Sequence, residues 1–299
     1  MWTKDNINDQ FGKTVIVTGA NAGIGFETAL ALYEKGADVI ITCRSLEKAQ
    51  ETIDKIKQHT GKGKLEAGVL DLSSLASVEQ FTADFIDKHK QLHVLINNAG
   101  VMRPPASKTA EGIEMQFGVN FIGHFALTGR LYPVLKASSG SRIVTVSSNA
   151  YLRGKIDFDN FKLEKPYDAG REYAQSKLAD IMLSIELQRR IAHTGDGVES
   201  IAVQPGANNT ELLRYMNDEE LKAAIERVGP LMAPWQGALP SLYAAIVAGA
   251  IPGALYGPDQ DGGYRGYPAQ AEIRPHALDE QVAKRLWEYA EEVTGIVFP

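Results

Sequence analysis

Short runs of β-branched and apolar residues alternate along the chain with longer stretches in which apolar residues recur at helical spacing. Residues 14–18 (TVIVT), 38–43 (DVIITC), 65–70, 92–96 (LHVLI), 142–146 (RIVTV) and 199–204 predict buried strands. Between them, residues 24–34, 46–59, 75–88, 111–136 and 171–193 predict helices. Val78, Phe81, Phe85 and Ile86 mark the buried face of the third of these, and Leu178, Ile181, Met182 and Ile185 that of the fifth. The tail predicts a helix over 236–247, a short strand over 254–256 and a closing helix over 278–294. Strand–helix alternation of this kind builds an α/β fold with a parallel sheet covered on both faces. Right-handed crossovers leave a doubly wound sheet of about seven strands as the simplest arrangement. No stretch before residue 260 resembles a linker, so residues 1–299 read as a single domain.

Two segments interrupt the rhythm. Residues 151–170 carry charges, aromatics and Pro166 between a strand and a helix, and 208–234 form a polar stretch with one short helix. Long loops beyond the carboxyl ends of strands are where such sheets bind ligands. Phe158, Phe161, Leu212, Leu213, Tyr215 and Met216 in them suggest an apolar substrate. Residues 257–275, rich in glycine, proline and tyrosine, read as an irregular surface segment, with Tyr264 and Tyr267 as surface packing.

Composition narrows the function classes. The net charge is −6, from 31 basic and 37 acidic residues, which argues against nucleic acid as a partner. The longest apolar runs are too short to span a bilayer, and no apolar segment follows Met1, so neither a membrane anchor nor a secretory leader is expected. A single cysteine, Cys43, excludes an intrachain disulfide and fits a cytoplasmic setting. It reads as a small buried residue more than as a reactive thiol. The six histidines lack zinc-pair spacing, so no metal is expected.

The first strand runs into Thr18-Gly19-Ala20-Asn21-Ala22-Gly23-Ile24-Gly25 and then a helix. Gly19 permits a tight turn, Gly23 close approach of a pyrophosphate, and Gly25 close packing of helix on sheet. The N-terminus of the helix offers unpaired N–H groups and partial positive charge to phosphates. A GxxxGxG turn in this place points to a dinucleotide and makes the fold Rossmann-type. The second strand ends Thr42-Cys43-Arg44-Ser45, without the acidic residue that holds a free ribose 2′-hydroxyl. A guanidinium at Arg44 suits a 2′-phosphate, which points to NADP(H) as cofactor; the plainer alternative is a solvated loop charge.

Tyr173-Ala174-Gln175-Ser176-Lys177 places a phenol and an ammonium one helical turn apart on one face. A free tyrosine titrates near ~10. An adjacent ammonium favours the phenolate and brings tyrosine into range as a general acid or base. Ser147-Ser148 ends the fifth strand, Asn97-Asn98-Ala99-Gly100 the fourth, and Pro205-Gly206-Ala207-Asn208-Asn209-Thr210 leaves the sixth. Asn120 interrupts an otherwise apolar helical run.

In that order, TGxxxGxG, NNAG, Asn, Ser, YxxxK and PGxxxT resemble the short-chain dehydrogenase/reductase superfamily over nearly the whole chain. The resemblance implies roles. Tyr173 would be the catalytic acid/base. Lys177 would lower its pKa and bind the nicotinamide ribose. Ser148, the second of the two serines, would hydrogen-bond the substrate oxygen, and Asn120 would hold through its backbone a water leading to Lys177. Gly19, Asn21, Gly23, Ile24 and Gly25 would cradle the cofactor. In Leu70-Asp71-Leu72, Asp71 would meet the adenine, with Leu72 beside it. Asn98, Ala99 and Gly100 would line the adenosine side, and Pro205, Gly206 and Thr210 the nicotinamide end. The long gap between Ser148 and Tyr173, with Thr42-Cys43-Arg44, is similar to the branch holding retinol dehydrogenases and light-dependent protochlorophyllide reductases. Membrane-bound members of that branch carry an N-terminal apolar anchor that has no counterpart here.

The implied activity is reversible, NADPH-dependent reduction of a carbonyl to an alcohol on a small-molecule substrate. Pairing through the 111–136 and 171–193 helices into a homodimer or homotetramer is implied as well. Each residue also has an ordinary role open to it. Asn120 could kink its helix, Ser148 could bond its own backbone, Asp71 could cap the helix starting near Ser74, and Lys177 could be solvated. Two rival functions stay open: a non-catalytic dinucleotide-sensing protein on the same scaffold, and photoreduction of a tetrapyrrole double bond.

Overall fold

A computed structural model describes residues 1–299. The chain opens with β1 (Thr14–Thr18), α1 (Gly23–Glu34), β2 (Asp38–Cys43), α2 (Leu46–Ile56), β3 (Leu65–Val69), α3 (Leu75–Lys88) and β4 (Val94–Asn97). After a loop come a single helical turn α4 (Met115–Phe117), a π-helical turn (Gly118–Ile122) and α5 (Gly123–Lys136). Then follow β5 (Arg142–Val146), α6 (Ala169–Thr194), β6 (Glu199–Val203), α7 (Asp218–Val228), α8 (Pro234–Ile246), β7 (Leu255–Gln260), β8 (Arg265–Ala271) and α9 (Glu280–Thr294).

The strands form one sheet in the order β3-β2-β1-β4-β5-β6-β7-β8. It is doubly wound, and the order reverses between β1 and β4. Side chains alternate across it strictly. Ile16, Ile40, Leu95, Ile143 and Ala202 face a core shared with α3, α5, α6 and α9. Val15, Val17, Val39, Ile41, Ile96, Val144 and Val203 face a second core under α1, α2 and α8. Burial on both faces is why these strands are continuous apolar runs.

Three expectations change. The sheet has eight strands, and its last pair, β7 and β8, is antiparallel. More than half of the segment expected to be irregular is therefore strand. The 111–136 helix starts at Met115, because the buried Glu114 carboxylate accepts the N–H groups of Gln116 and Phe117 and closes the helix end there. On α5, one of the two helices expected to pair, part of the surface is covered by the chain itself. Trp287 of α9 and Phe298 of the tail pack against Phe125, with ring centres 4.9 and 5.0 Å away. Ile296 and Phe298 sit over Gly129, where a Cβ would come within 2.6 Å of each. Eleven of the fourteen residues of α5 are buried in the single chain.

Candidate active site

The glycine turn is built for close approach. Gly19 (φ 64°) and Gly23 (φ 56°) adopt left-handed backbone. A Cβ on Gly19 would lie 2.9 Å from the Ala99 Cα, and one on Gly25 would lie 2.5 Å from Asn98 Nδ2. A Cβ on Gly23 would reach within 3.2 Å of Thr210. The turn, the NNAG segment and the PGxxxT segment thus meet at the carboxyl edge of the sheet. Ala22, at the N-cap of α1, provides no side-chain cap, so the first N–H groups of that helix stay open to an anion. This cradle fits a dinucleotide pyrophosphate. Asn21 is exposed beside it and Ile24 half-buried. Arg44 is exposed at the end of β2, next to Ser45, which caps α2.

Thr18 organises the turn. Its hydroxyl oxygen accepts the N–H groups of Asn98 and Ala99, both at 2.8 Å, and the Asn98 Nδ2 donates to its carbonyl at 2.7 Å. Asp71 accepts the Ser73 N–H and hydroxyl, while Ser74 caps α3. The capping role that was the alternative for Asp71 belongs to Ser74. The Leu72 carbonyl lies against Gly123, where a Cβ would come within 2.5 Å.

Tyr173 and Lys177 project from the buried face of α6, with the ammonium 6.0 Å from the ring centre. Lys177 Nζ donates to the Val146 carbonyl at 2.9 Å and to Asp180 Oδ2 at 2.8 Å. It is 4% exposed, which removes the solvated alternative. Burial disfavours the ammonium, but the Asp180 carboxylate and Tyr173 outweigh it and hold Lys177 above its ordinary range. Gly100 approaches this pair, since a Cβ there would lie 3.3 Å from Asn120 Oδ1 and 3.8 Å from Lys177 Nζ.

Asn120 sits in the π-helical turn. Its amide ties the Val101 backbone to α6. Oδ1 accepts the Val101 N–H at 2.9 Å, and Nδ2 donates to the Val101 carbonyl at 3.1 Å and to Ser176 Oγ at 2.9 Å. Its carbonyl, expected to hold a water, accepts from His124 Nδ1 at 2.8 Å. Burial pushes His124 down to about 3, so the ring is neutral, and its Nε2 accepts the Thr18 hydroxyl proton.

The two serines separate. Ser147 is buried and donates to the Lys177 carbonyl at 2.6 Å. Ser148 is half-buried, and its hydroxyl accepts the Ala150 N–H. Pro205 and Gly206 (φ 74°) form the turn after β6, with the Asn208 amide donating to the Pro205 carbonyl.

Sequence reasoning missed three groups. Asp180 and His124 are polar residues on helix faces that bury, and that mismatch was a readable signal. The third is the β7–β8 turn. Gly263 accepts from both Asn149 and Gln204, and the Tyr264 carbonyl accepts the Ala207 N–H, so this turn borders the site. Cys43 is buried, and burial pushes its thiol up to about 11.

The apolar residues of the two loops also part company. Phe161 stacks on Phe117 at 4.3 Å in the core, and Arg285 covers Phe158. Leu212, Leu213 and Met216 stay half-buried, Tyr215 is exposed, and α7 buries no residue. Of the two loops, 208–234 therefore keeps more of its apolar residues accessible.

Residues 13–221 match the short chain dehydrogenase family. Human retinol dehydrogenase 13 is 40% identical over 294 residues, covering 96% of this chain and 86% of that protein. Human retinol dehydrogenase 11 is 41% identical, covering 95% and 86%. An uncharacterized protein from Mycobacterium paratuberculosis aligns in structure with a TM-score of 0.82 and 32% identity, covering 100% of this chain and 99% of that one. An NAD(P)-dependent gluconate 5-dehydrogenase from Beutenbergia cavernae, solved with bound NADP, aligns with a TM-score of 0.67 and 25% identity, covering 83% and 95%.

Proposed function

The chain belongs to the short-chain dehydrogenase family, in its retinol dehydrogenase-like branch, and on that footing we propose that it is an NADP(H)-dependent oxidoreductase interconverting a carbonyl and an alcohol on an apolar small molecule. A nicotinamide dinucleotide, when bound, supplies or takes up the hydride. The chain's own residues move the proton and hold the partners. Tyr173 donates its phenolic proton to the substrate oxygen during reduction and takes it back during oxidation. Lys177, fixed by Val146 and Asp180, stabilises the phenolate that remains. Ser148 hydrogen-bonds the substrate oxygen as negative charge grows there. Asn120 holds the Val101 backbone and α6 at a fixed distance.

Gly19, Gly23 and Gly25 with the open end of α1 would hold the pyrophosphate, Asp71 with Asn98, Ala99 and Gly100 the adenosine side, and Pro205, Gly206 and Thr210 the nicotinamide side. Arg44 would meet the 2′-phosphate, a reading supported by the absence of a carboxylate at the end of β2. The names of the relatives and the apolar residues of 208–234 favour a long, apolar alcohol or aldehyde of the retinol kind.

The observation that carries this reading is the buried ammonium beside Tyr173, at the sheet edge where the glycine turn converges. The test is NADPH oxidation against a panel of aldehydes and ketones that includes retinaldehyde, with NADH in parallel. Turnover of an apolar carbonyl with NADPH is expected. Tight NADPH binding with no consumption across the panel would favour the sensing protein instead.

A further inference from the structure

Asp180 lies three residues beyond Lys177 on α6 and is 1% exposed. One carboxylate oxygen, Oδ2, accepts from Lys177 Nζ at 2.8 Å. The other, Oδ1, is buried with no hydrogen-bond partner. A buried ion pair stabilises a fold poorly compared with apolar packing, and an unsatisfied carboxylate oxygen worsens the balance. An acid kept there at such cost calls for a role in the site that Lys177 serves.

Its effect on Lys177 is geometric first. An ammonium has three protons. Val146 and Asp180 take two, which fixes Nζ and leaves one for another acceptor. The second effect is electrostatic. A carboxylate 2.8 Å from the ammonium cancels part of the field that Lys177 projects on Tyr173. The other titratable groups facing this pair are Tyr173 itself and His124 from α5, and His124 is neutral. The uncharged Asn120, Ser147 and Ser176 lie close by: Asn120 donates to Ser176 on the same helix, and Ser147 to the Lys177 carbonyl. We propose that Asp180 is a positioning residue for the reaction: it clamps Lys177 against Val146 and withholds part of the ammonium's charge from Tyr173.

This rests on the proposed function and deepens it. Removing a fixed negative charge makes proton loss from the Tyr173–Lys177 pair easier. Burial holds the Asp180 carboxyl up at about 7, so its charge is in place at the alkaline pH where tyrosine titrates. The experiment follows the ζ-carbon resonance of labelled tyrosine against pH in the full chain without substrate, with Tyr173 assigned by loss of its signal in Tyr173→Phe. In Asp180→Asn, which keeps the shape and drops the charge, the Tyr173 phenolate should form about one pH unit lower than in wild type. Asp180→Glu should restore the wild-type titration, and Asp180→Ser should repeat the downward shift if the amide variant folds poorly. Titration of Tyr173 at the wild-type pH or above it in the folded, uncharged variants overturns the proposal, including where the cause is that Lys177, left with its burial, has lost its own proton. Because this readout needs no turnover, an inactive wild type would sink the enzyme reading and leave this result standing.

Discussion

Thr18 Oγ1 and His124 Nε2 lie 3.0 Å apart, and through that contact the glycine turn is joined to α5 and, by way of Asn120, to α6. Donors run from the Asn98 and Ala99 N–H groups to Thr18, from Thr18 to His124, and from His124 Nδ1 to the Asn120 carbonyl. The Asn120 amide continues to Ser176, whose hydroxyl donates to the Tyr173 carbonyl at 2.9 Å. The Thr18-to-His124 link needs His124 neutral, because a protonated Nε2 is a donor and can no longer accept the Thr18 hydroxyl proton. The His124 pKa falls from 6.5 toward about 3 on folding, so the unfolded chain binds the extra proton between those values. The contribution of His124 is thus full above pH 6.5 and is lost as pH drops. By pH 5 the loss is about 2 kcal/mol. Urea unfolding of wild type and His124→Gln should show their stability difference shrinking by that amount between pH 7.5 and 5, and a constant difference would contradict it.

Arg44 tests cofactor choice. It is exposed, so replacing it leaves the core untouched. Arg44→Asp should raise the KM for NADPH at least about tenfold, the equivalent of one charge-assisted contact, with NADH unchanged or improved. Steady-state kinetics with both cofactors measures this, and unchanged discrimination would remove Arg44 from the 2′-phosphate site.

Trp287 tests the covering of α5. Its ring lies 4.9 Å from both Phe125 and Phe298, with the Arg190 guanidinium 4.3 Å from its centre. Trp287→Ala should cost about 3–5 kcal/mol in urea unfolding. Light scattering on wild type and on a folded Gly129→Arg variant should give the same mass, and a lower mass for the variant would place α5 at an interface between copies.

Much of the fold was legible because buried parallel strands write themselves as β-branched runs. β8 did not. It is an edge strand carrying Pro268 and a left-handed Gly266, and most of its residues are only half-buried. An edge tolerates proline and imposes no alternation, so its sequence has no strand pattern. The start of α4 was hidden for another reason. Glu114 caps through a buried side chain, a choice dictated by tertiary burial rather than by local preference. Motif spacing located the glycine turn, Tyr173 and Lys177. It was silent on Asp180 and His124, whose meaning comes from what packs against them.

The most direct test of the account is kcat/KM for NADPH-dependent reduction of an apolar aldehyde by Tyr173→Phe against wild type. Phenylalanine keeps the ring and removes only the proton donor. A fall of about 10²–10⁴-fold with NADPH affinity retained is predicted. Equal turnover by the two proteins would contradict it.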